Sequence, residues 1–286
     1  MDLSILVVNW NAGQALGRCI ASVLAHTRGL DYEILVVDNA SADGSLAAVQ
    51  ARFGAEPRLV LLPQMRNLGF AAANNLAYER SRGDCILLLN PDTELRDNAL
   101  ASLVAFLRSD DTIGVVGPQL RYPDGRLQPS CRRFPRTRHW LVILSGLHRF
   151  ASMADYYMSD FDHRSQRDVD QVMGSALMTR RSVVDRVGFL DGRFFLWFEE
   201  VDYCKRVREA GYRVVFYPQA TVVHRGGQSS GLLSRVERRR LLIPSLLLYF
   251  RKHGNRLDGL LLGSLVPWSL GLAWLGDRMR PARTLG

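Results

Sequence analysis

Three short apolar runs in the first third of the chain end on polar side chains that could hold a ligand. "LSILVVNWN" runs into Asn9-Trp10-Asn11, "EILVVDN" into Asp38-Asn39 and "CILLLNPD" into Asn90-Pro91-Asp92. Asn, Asp and Pro are ordinary turn residues at a strand exit, so chain reversal accounts for each cluster taken alone. Three of them on one edge of one sheet favour a shared ligand site. Asp38 needs a hydrogen-bond donor that turn chemistry does not supply, and a nucleotide base N–H is a candidate. "RNLGFAAANN" sets Asn67 and Gly69 before an alanine-rich helical pattern. The N-terminus of such a helix suits a diphosphate, although Asn67 would equally serve as its cap.

A second chemical stretch is "FFLWFEEVDYCKRVREAG", residues 194–211, in which Phe194, Phe195, Trp197 and Phe198 precede Glu199 and Glu200. Val201, Cys204 and Val207 mark an apolar stripe at helical spacing. Acids in a first turn complement the helix dipole, which explains the charges but not the aromatic cluster in front of them. Partial burial there would raise a carboxyl pKa and make it a usable general base. His224 closes "TVVHR" just before Gly226-Gly227. A lone histidine is more often structural, but on the same sheet it would reach a metal also held by Asp92.

The elements that must position these groups alternate between two periods. Apolar runs at 3–10, 33–39, 59–63, 85–90 and 113–120 are separated by helical patterns at 14–26, 44–53, 69–80 and 97–108. That alternation predicts an α/β fold, a doubly wound, mostly parallel sheet with helices on both faces. Ligands of such sheets bind beyond the carboxyl ends of the strands. Residues 121–170 break the pattern; "RYPDGRLQPSCRRFPRTRH" holds three prolines and six arginines and reads as a long surface loop. Strand runs resume at 171–179, 212–218 and 221–225, with a helix near 181–187.

The chain of 286 residues, 47% hydrophobic, is long enough for a full core. Its net charge of +9 is concentrated at one end: from Arg225 onward eleven Lys and Arg face three acids, a net +8. A basic tail on a near-neutral body suits an anionic surface. Gly259–Gly276 is an uncharged run of 18 residues with four glycines and Pro267. As a helix it would be about 27 Å long, just short of a ~30 Å hydrocarbon core. Arg251, Lys252 and Arg256 before it, and Arg278, Arg280 and Arg283 after it, fit an interfacial segment at least as well as a span. Cys19, Cys85, Cys131 and Cys204 form no CxxC pair, which suits a reducing compartment. The N-terminus carries an acid and no basic segment, and reads as a first strand rather than a signal peptide.

Taken in order, "SILVVNWN", "EILVVDNASADGS", "NLGFAAANN", "LLLNPDTEL" and the stretch from "GSALMTRRSVVDRVGFLDGRFFLWFEEVDYCKRVREAGYRVVFYPQATVVHRGGQS" resemble the family 2 glycosyltransferases of GT-A fold over roughly residues 3–250. The likeness is greatest to the bacterial rhamnosyltransferase-type branch. It implies inverting transfer from a nucleoside-diphosphate sugar, dTDP-rhamnose among the candidates, assisted by Mg²⁺ or Mn²⁺. The acceptor would be a glycan or lipid-linked hydroxyl in cell-envelope polysaccharide synthesis, met at the cytoplasmic face of the membrane by a peripheral or C-terminally anchored enzyme. By the same resemblance Asn9, Asp38, Asn67 and Gly69 hold the donor. Asn90 and Asp92 form an N-P-D in place of the family's DxD, with Asp92 and His224 on the metal. Glu200 matches the base, and Glu199 stays a second candidate because the family's Glu-Asp pair is Glu-Glu here. Trp197 and Asp202 fall on the acceptor side. The expected division is 1–240 as the catalytic domain, with 1–120 binding donor and 121–240 carrying acceptor and catalysis, and 241–286 as a helical membrane-associated tail.

Two rival classes remain open on the residues alone. A metal-dependent nucleotidyltransferase would want a basic phosphate grip early in the chain, and Arg18 is the only basic residue of the first helical pattern before its closing histidine. A non-catalytic binder of anionic surfaces would use the tail but need neither Asp92 nor Glu200. No nucleic-acid partner is expected.

Overall fold

Residues buried on both faces of a sheet cannot alternate in polarity, and the chain's first strands show this directly. In the computed structural model, which describes residues 1–149, 152–227, 231 and 233–279, β1 (Leu3–Asn9), β2 (Tyr32–Asp38) and β4 (Cys85–Leu89) are buried at every position. Successive side chains enter opposite layers. Ile5 and Val7 pack with α1 (Gln14–His26) and α4 (Ala99–Arg108); Leu6 and Val8 pack with α3 (Phe70–Arg80), α7 (Arg181–Val187) and α8 (Glu199–Glu209). A further helix, α2 (Ser45–Phe53), follows β2.

The main sheet has the order β3-β2-β1-β4-β11-β6-β12-β5, with β3 at Leu59–Pro63, β5 at Thr93–Glu94, β6 at Ile113–Arg121, β11 at Ala176–Arg180 and β12 at Arg213–His224. The first four strands in this order and the β6–β12 pair are parallel; β11 runs antiparallel between β4 and β6. The β1–β2 register sets Asn9 opposite Asp38. Strand β12 is continuous where the sequence suggests two strands. Pro218, which has no N–H to donate, lies within its register shift between Tyr217 and Thr221. Conversely, the run 171–179 is divided into β10 (Gln171–Val172) and β11, and the break leaves Met173, Gly174 and Ser175 at the strand ends.

Residues 121–170 are not the long loop their prolines and arginines suggest. They carry β7 (Leu127–Gln128), β8 (Cys131–Arg132), α5 (Thr137–Ser145), α6 (Ala154–Tyr157) and β9 (Arg167–Asp168). Ion pairs hold them: Arg133 and Arg138 reach Asp155 at 3.0 and 2.6 Å. The tail is helical, as expected, but the boundary expected between 240 and 241 falls inside α9 (Arg235–His253). That helix starts where Ser234 and Glu237 cap each other's backbone N–H. Then α10 (Arg256–Ser264) and α11 (Val266–Arg278) fold back over α5, tied by Thr137 Oγ1 to Asp258 Oδ1 at 2.5 Å and by Trp268 Nε1 to Ser145 O at 3.2 Å. The stretch Arg256–Arg278 is long and apolar enough to cross a membrane by length and composition, and only 22% of its apolar window is buried against the protein. All four cysteines are buried and free.

Candidate active site

The carboxyl ends of β1, β2 and β4 open onto a cavity of about 580 Å³. Asn67, Gly69, Asn90 and Asp92 line it from one side. Trp197, Glu199, Glu200 and His224, more than a hundred residues later in the chain, line it from the other.

Asp92 follows the end of β4 and His224 ends β12; pairing of β5 with β12 brings them face to face. His224 Nε2 lies 3.3 Å from Asp92 Oδ1, both side chains are buried, and His224 Nδ1 meets Gln128 Oε1 of β7 at 2.8 Å. The amide oxygen accepts from Nδ1, which leaves Nε2 facing the carboxylate. An imidazole nitrogen and a carboxylate facing each other are a natural pair of ligands for a cation. Among the described residues no group of three or more His, Cys, Asp or Glu converges as a metal cage. A divalent ion held through one carboxylate and one imidazole, with substrate phosphates completing its shell, fits this donor set. Gln128 lies in the segment whose composition reads as a loop, so no sequence pattern singles it out.

The structure does not bring Asn9 and Asp38 into the cavity lining. Asn9 Nδ2 donates to Asp38 Oδ1 at 2.6 Å and to Ser45 Oγ at 2.8 Å, and Asp38 Oδ2 accepts from the Ser41 N–H at 3.0 Å. The donor that Asp38 requires is thus Asn9 and its own turn, and the pair braces the floor of the site. Their neighbours Trp10 and Asn39 are the residues that line the cavity. Asn39 in turn clamps the next loop, donating to Gly69 O at 3.1 Å and accepting from the Leu68 N–H at 3.2 Å. Asn67 closes that loop by accepting from the Gly69 N–H at 2.8 Å, rather than capping α3. Gly69 has φ +84°, and a Cβ there would lie 2.5 Å from Phe195 O. The absent side chain lets the Phe70 N–H reach that same carbonyl at 2.7 Å.

This contact anchors the aromatic stretch. Trp197 and Phe198 are adjacent non-glycine residues at φ +65° and +73°, a conformation that costs on the order of 1–3 kcal/mol each. Packing holds it: Phe198 lies against Trp140 and Tyr249, and Ser245 Oγ donates to Leu196 O at 2.8 Å. The turn delivers Glu199 and Glu200 to the start of α8. Glu199 Oε2 and Glu200 Oε2 are both buried with no hydrogen-bond partner among the described residues. Burial pushes both carboxyls above the ordinary range. The charge of Glu200 raises Glu199 further, while backbone N–H groups and the Arg132 guanidinium restrain the rise at Glu200. Glu200 also lines a second cavity, of about 600 Å³, on the far side of Trp197.

Asp202, expected on the acceptor side, is turned away from both cavities. It is fully buried and held by Arg206 at 2.8 Å and by Lys252 and His253 of α9 at 2.7 Å each. Burial alone would raise its carboxyl, but the hydrogen bonds from His253 and Lys252 outweigh it and keep the group below its usual value. Asp202 therefore fastens the tail to α8.

A mostly parallel sheet, a cavity at its strand ends and an Asp–His pair facing two carboxyls define an α/β fold of the GT-A type. The sequence profile of glycosyl transferase family 2 matches residues 4–188, and the chain belongs to that family. It is 31% identical over 247 residues to the N-acetylglucosaminyl-diphospho-decaprenol L-rhamnosyltransferase of Mycobacterium tuberculosis, covering 80% of this chain and 78% of that protein. Among solved structures, the mannosyltransferase PcManGT of Pyrobaculum calidifontis in complex with GDP-Man and Mn²⁺ superposes with a TM-score of 0.59 at 20% identity, over 96% of this chain and 73% of that one. S. aureus TarS 1-349 in complex with UDP-GlcNAc superposes with a TM-score of 0.57 at 15% identity, over 100% and 77%. The nucleotidyltransferase reading gives way to this membership.

Proposed function

We propose that this glycosyltransferase moves a sugar from a nucleoside-diphosphate sugar to a hydroxyl of a lipid-linked glycan, with inversion at the anomeric carbon. The observation that carries the reading is Glu200, a half-buried residue whose enclosed carboxyl has a raised pKa and borders both cavities at once. One cavity suits the donor and the other the acceptor, so their junction is where the sugar changes hands. Glu200 takes the proton of the acceptor hydroxyl; the oxygen attacks the anomeric carbon as the bond to the diphosphate breaks. Asp92 and His224 are the residues that would hold Mg²⁺ or Mn²⁺, and the ion would supply positive charge against the leaving diphosphate. The Asn67–Gly69 loop and Trp10 border the donor, and Trp197 shields the junction from water. The name of the mycobacterial relative supports dTDP-rhamnose as the first donor to assay and a polyprenyl-diphosphate sugar as the acceptor class.

The basic tail supports a peripheral position on the anionic inner surface of the membrane. Leu257, Leu260 and Leu261 of α10 are exposed, while α10 and α11 are tied to α5 by the hydrogen bonds described above. That arrangement favours helices lying on the surface over a helix crossing it. A thermal-shift series of nucleotide sugars with and without Mn²⁺ or Mg²⁺ tests the central claim. A ligand at a hundred times its Kd stabilises by about 2.7 kcal/mol, so the donor should give a selective, ion-dependent rise in Tm, and its product should show inverted anomeric configuration. If no nucleotide sugar shifts the melt with either ion, the proposal is lost.

A further inference from the structure

The second cavity is walled by α5, α9 and α11 on one side and by β8 and the start of α8 on the other. Its charge is one-sided. Arg132, Arg235, Arg238 and Arg239 line it, and Glu200 is the only carboxylate among the described residues that does. Several arginines elsewhere in the protein are ion-paired: Arg213 with Asp168 and Asp110, Arg206 with Asp202, Arg180 with Asp111. By contrast, Arg132, Arg238 and Arg239 have no ion-pair partner among the described residues. Among the described residues, Arg238 Nε and Arg239 Nη1 are buried with no hydrogen-bond partner. Arg239 is held in place by its other nitrogen, Nη2, on Ile143 O at 3.2 Å. Both arginines are half-buried; a guanidinium does not shed its proton to escape such burial, and enclosing part of a cation without a counter-ion carries a desolvation cost. Forked guanidinium groups match phosphate oxygens bidentately. Ile143, Leu242, Leu272 and Ala273 add an apolar part to the wall, beside the polar Gln171 and Ser269.

We propose that Arg238 and Arg239, with Arg132, bind the diphosphate of a polyprenyl-diphosphate acceptor, whose apolar chain leaves along α9 and α11 and whose sugar reaches Glu200. The proposal rests on the glycosyltransferase reading for the role of the ligand, and on the cavity alone for its chemistry. It gives the C-terminal helices a part in acceptor recognition beyond contact with the membrane, because two of the three phosphate ligands belong to α9.

Binding of farnesyl diphosphate to the full chain, followed by tryptophan fluorescence or calorimetry with nucleoside diphosphate and Mg²⁺ already saturating, tests this. The wild-type protein should bind the probe and the nucleotide together. Arg238→Gln with Arg239→Gln should weaken farnesyl diphosphate by at least about tenfold, with nucleotide affinity unchanged. Inorganic pyrophosphate should bind far more weakly than the farnesyl ester. Removal of these half-buried charges should leave Tm equal or raised; should the double variant not fold, each single variant carries the test by the same loss of affinity. Equal probe binding by wild type and variants, or displacement of the probe by nucleotide, overturns the assignment. Pyrophosphate binding as tightly as the farnesyl ester overturns the lipid as its source. Failure of the donor reading looks different: no nucleotide then binds, while arginine-dependent farnesyl diphosphate binding persists.

Discussion

Replacing Glu200 by Gln preserves the shape of the side chain and removes its ability to accept a proton. A positioned base contributes ~10²–10⁴-fold, so kcat should fall by that factor, about 2.7–5.4 kcal/mol of barrier. Donor affinity should barely change, because Asp92, His224 and the Asn67–Gly69 loop are untouched. The substitution carries a second signature. The folded-state pKa of Glu200 is raised from 4.5 by burial, so between 4.5 and the raised value the folded protein binds more protons than the unfolded. Stability from this group therefore falls as pH rises through that window. Gln carries no such penalty, so the variant should melt at an equal or higher temperature than wild type at pH 8, and this advantage should vanish near pH 4. The base must be ionised to work, so the acid limb of the wild-type kcat/KM profile should lie above the ordinary carboxylate range and disappear in the variant. Product formation from the donor found by thermal shift, measured from pH 4 to 9, reads both effects. Glu199→Gln is the control; its carboxyl is likewise pushed up by burial and lines the donor cavity alone, so it should gain stability while keeping turnover. Near wild-type turnover by Glu200→Gln refutes the base, and the reverse pattern in the two variants moves it to Glu199.

Other substitutions probe the remaining parts of the site. Asp92→Ala should remove the ion-dependent part of nucleotide affinity, read by titration with and without Mn²⁺. Gly69→Ala forces a Cβ to within 2.5 Å of Phe195 O at a φ of +84°; a loss on the order of 1–3 kcal/mol in urea unfolding, with weakened nucleotide binding, is expected. Asp202→Ala leaves Lys252 and Arg206 without their buried partner, a loss of roughly 3–5 kcal/mol. The Asp202 carboxyl is held low, so wild-type stability from this cluster is present above the unfolded pKa and lost as pH falls, and that acid dependence should shrink in the variant. Leu257→Glu with Leu260→Glu, at two of the most exposed apolar positions of α10, should abolish co-sedimentation with anionic vesicles without lowering Tm. Each leucine is worth up to about 1.5–3 kcal/mol when buried.

The parallel sheet was legible because strands buried on both faces leave unbroken apolar runs, as at Leu3–Asn9 and Cys85–Leu89. The folded character of residues 121–170 was not, since two-residue strands and short helices held by Arg133, Arg138 and Asp155 have no period to read. Burial of Asn9 and Asp38 was equally hidden: a polar residue at a strand end looks the same whether it meets a ligand or its own turn. Only the partners Ser41 and Ser45, both in the run that raised the question, hinted at the answer. Arg238 and Arg239 read as tail charge because nothing local tells an arginine facing lipid from one folded back over a cavity.

Asp202 differs, because its misplacement could have been found on paper. It lies two residues past Glu200, about 200° around a helix of 3.6 residues per turn, so the two carboxyls cannot address one cavity. Glu199 lies about 100° the other way, which lets it border the donor cavity but not the second one. The three acids have separate surroundings: Asp202 binds Lys252 and His253 and fixes α9, Glu200 lines both cavities, and Glu199 lines only the first. The helix that carries the proposed base, Glu200, is therefore also the helix that holds α9, and α9 carries Arg238 and Arg239 of the second cavity. Loosening Asp202 should then disturb acceptor binding through Arg238 and Arg239 more than donor binding through Asp92, and steady-state KM values for the two substrates in Asp202→Asn would separate in that order.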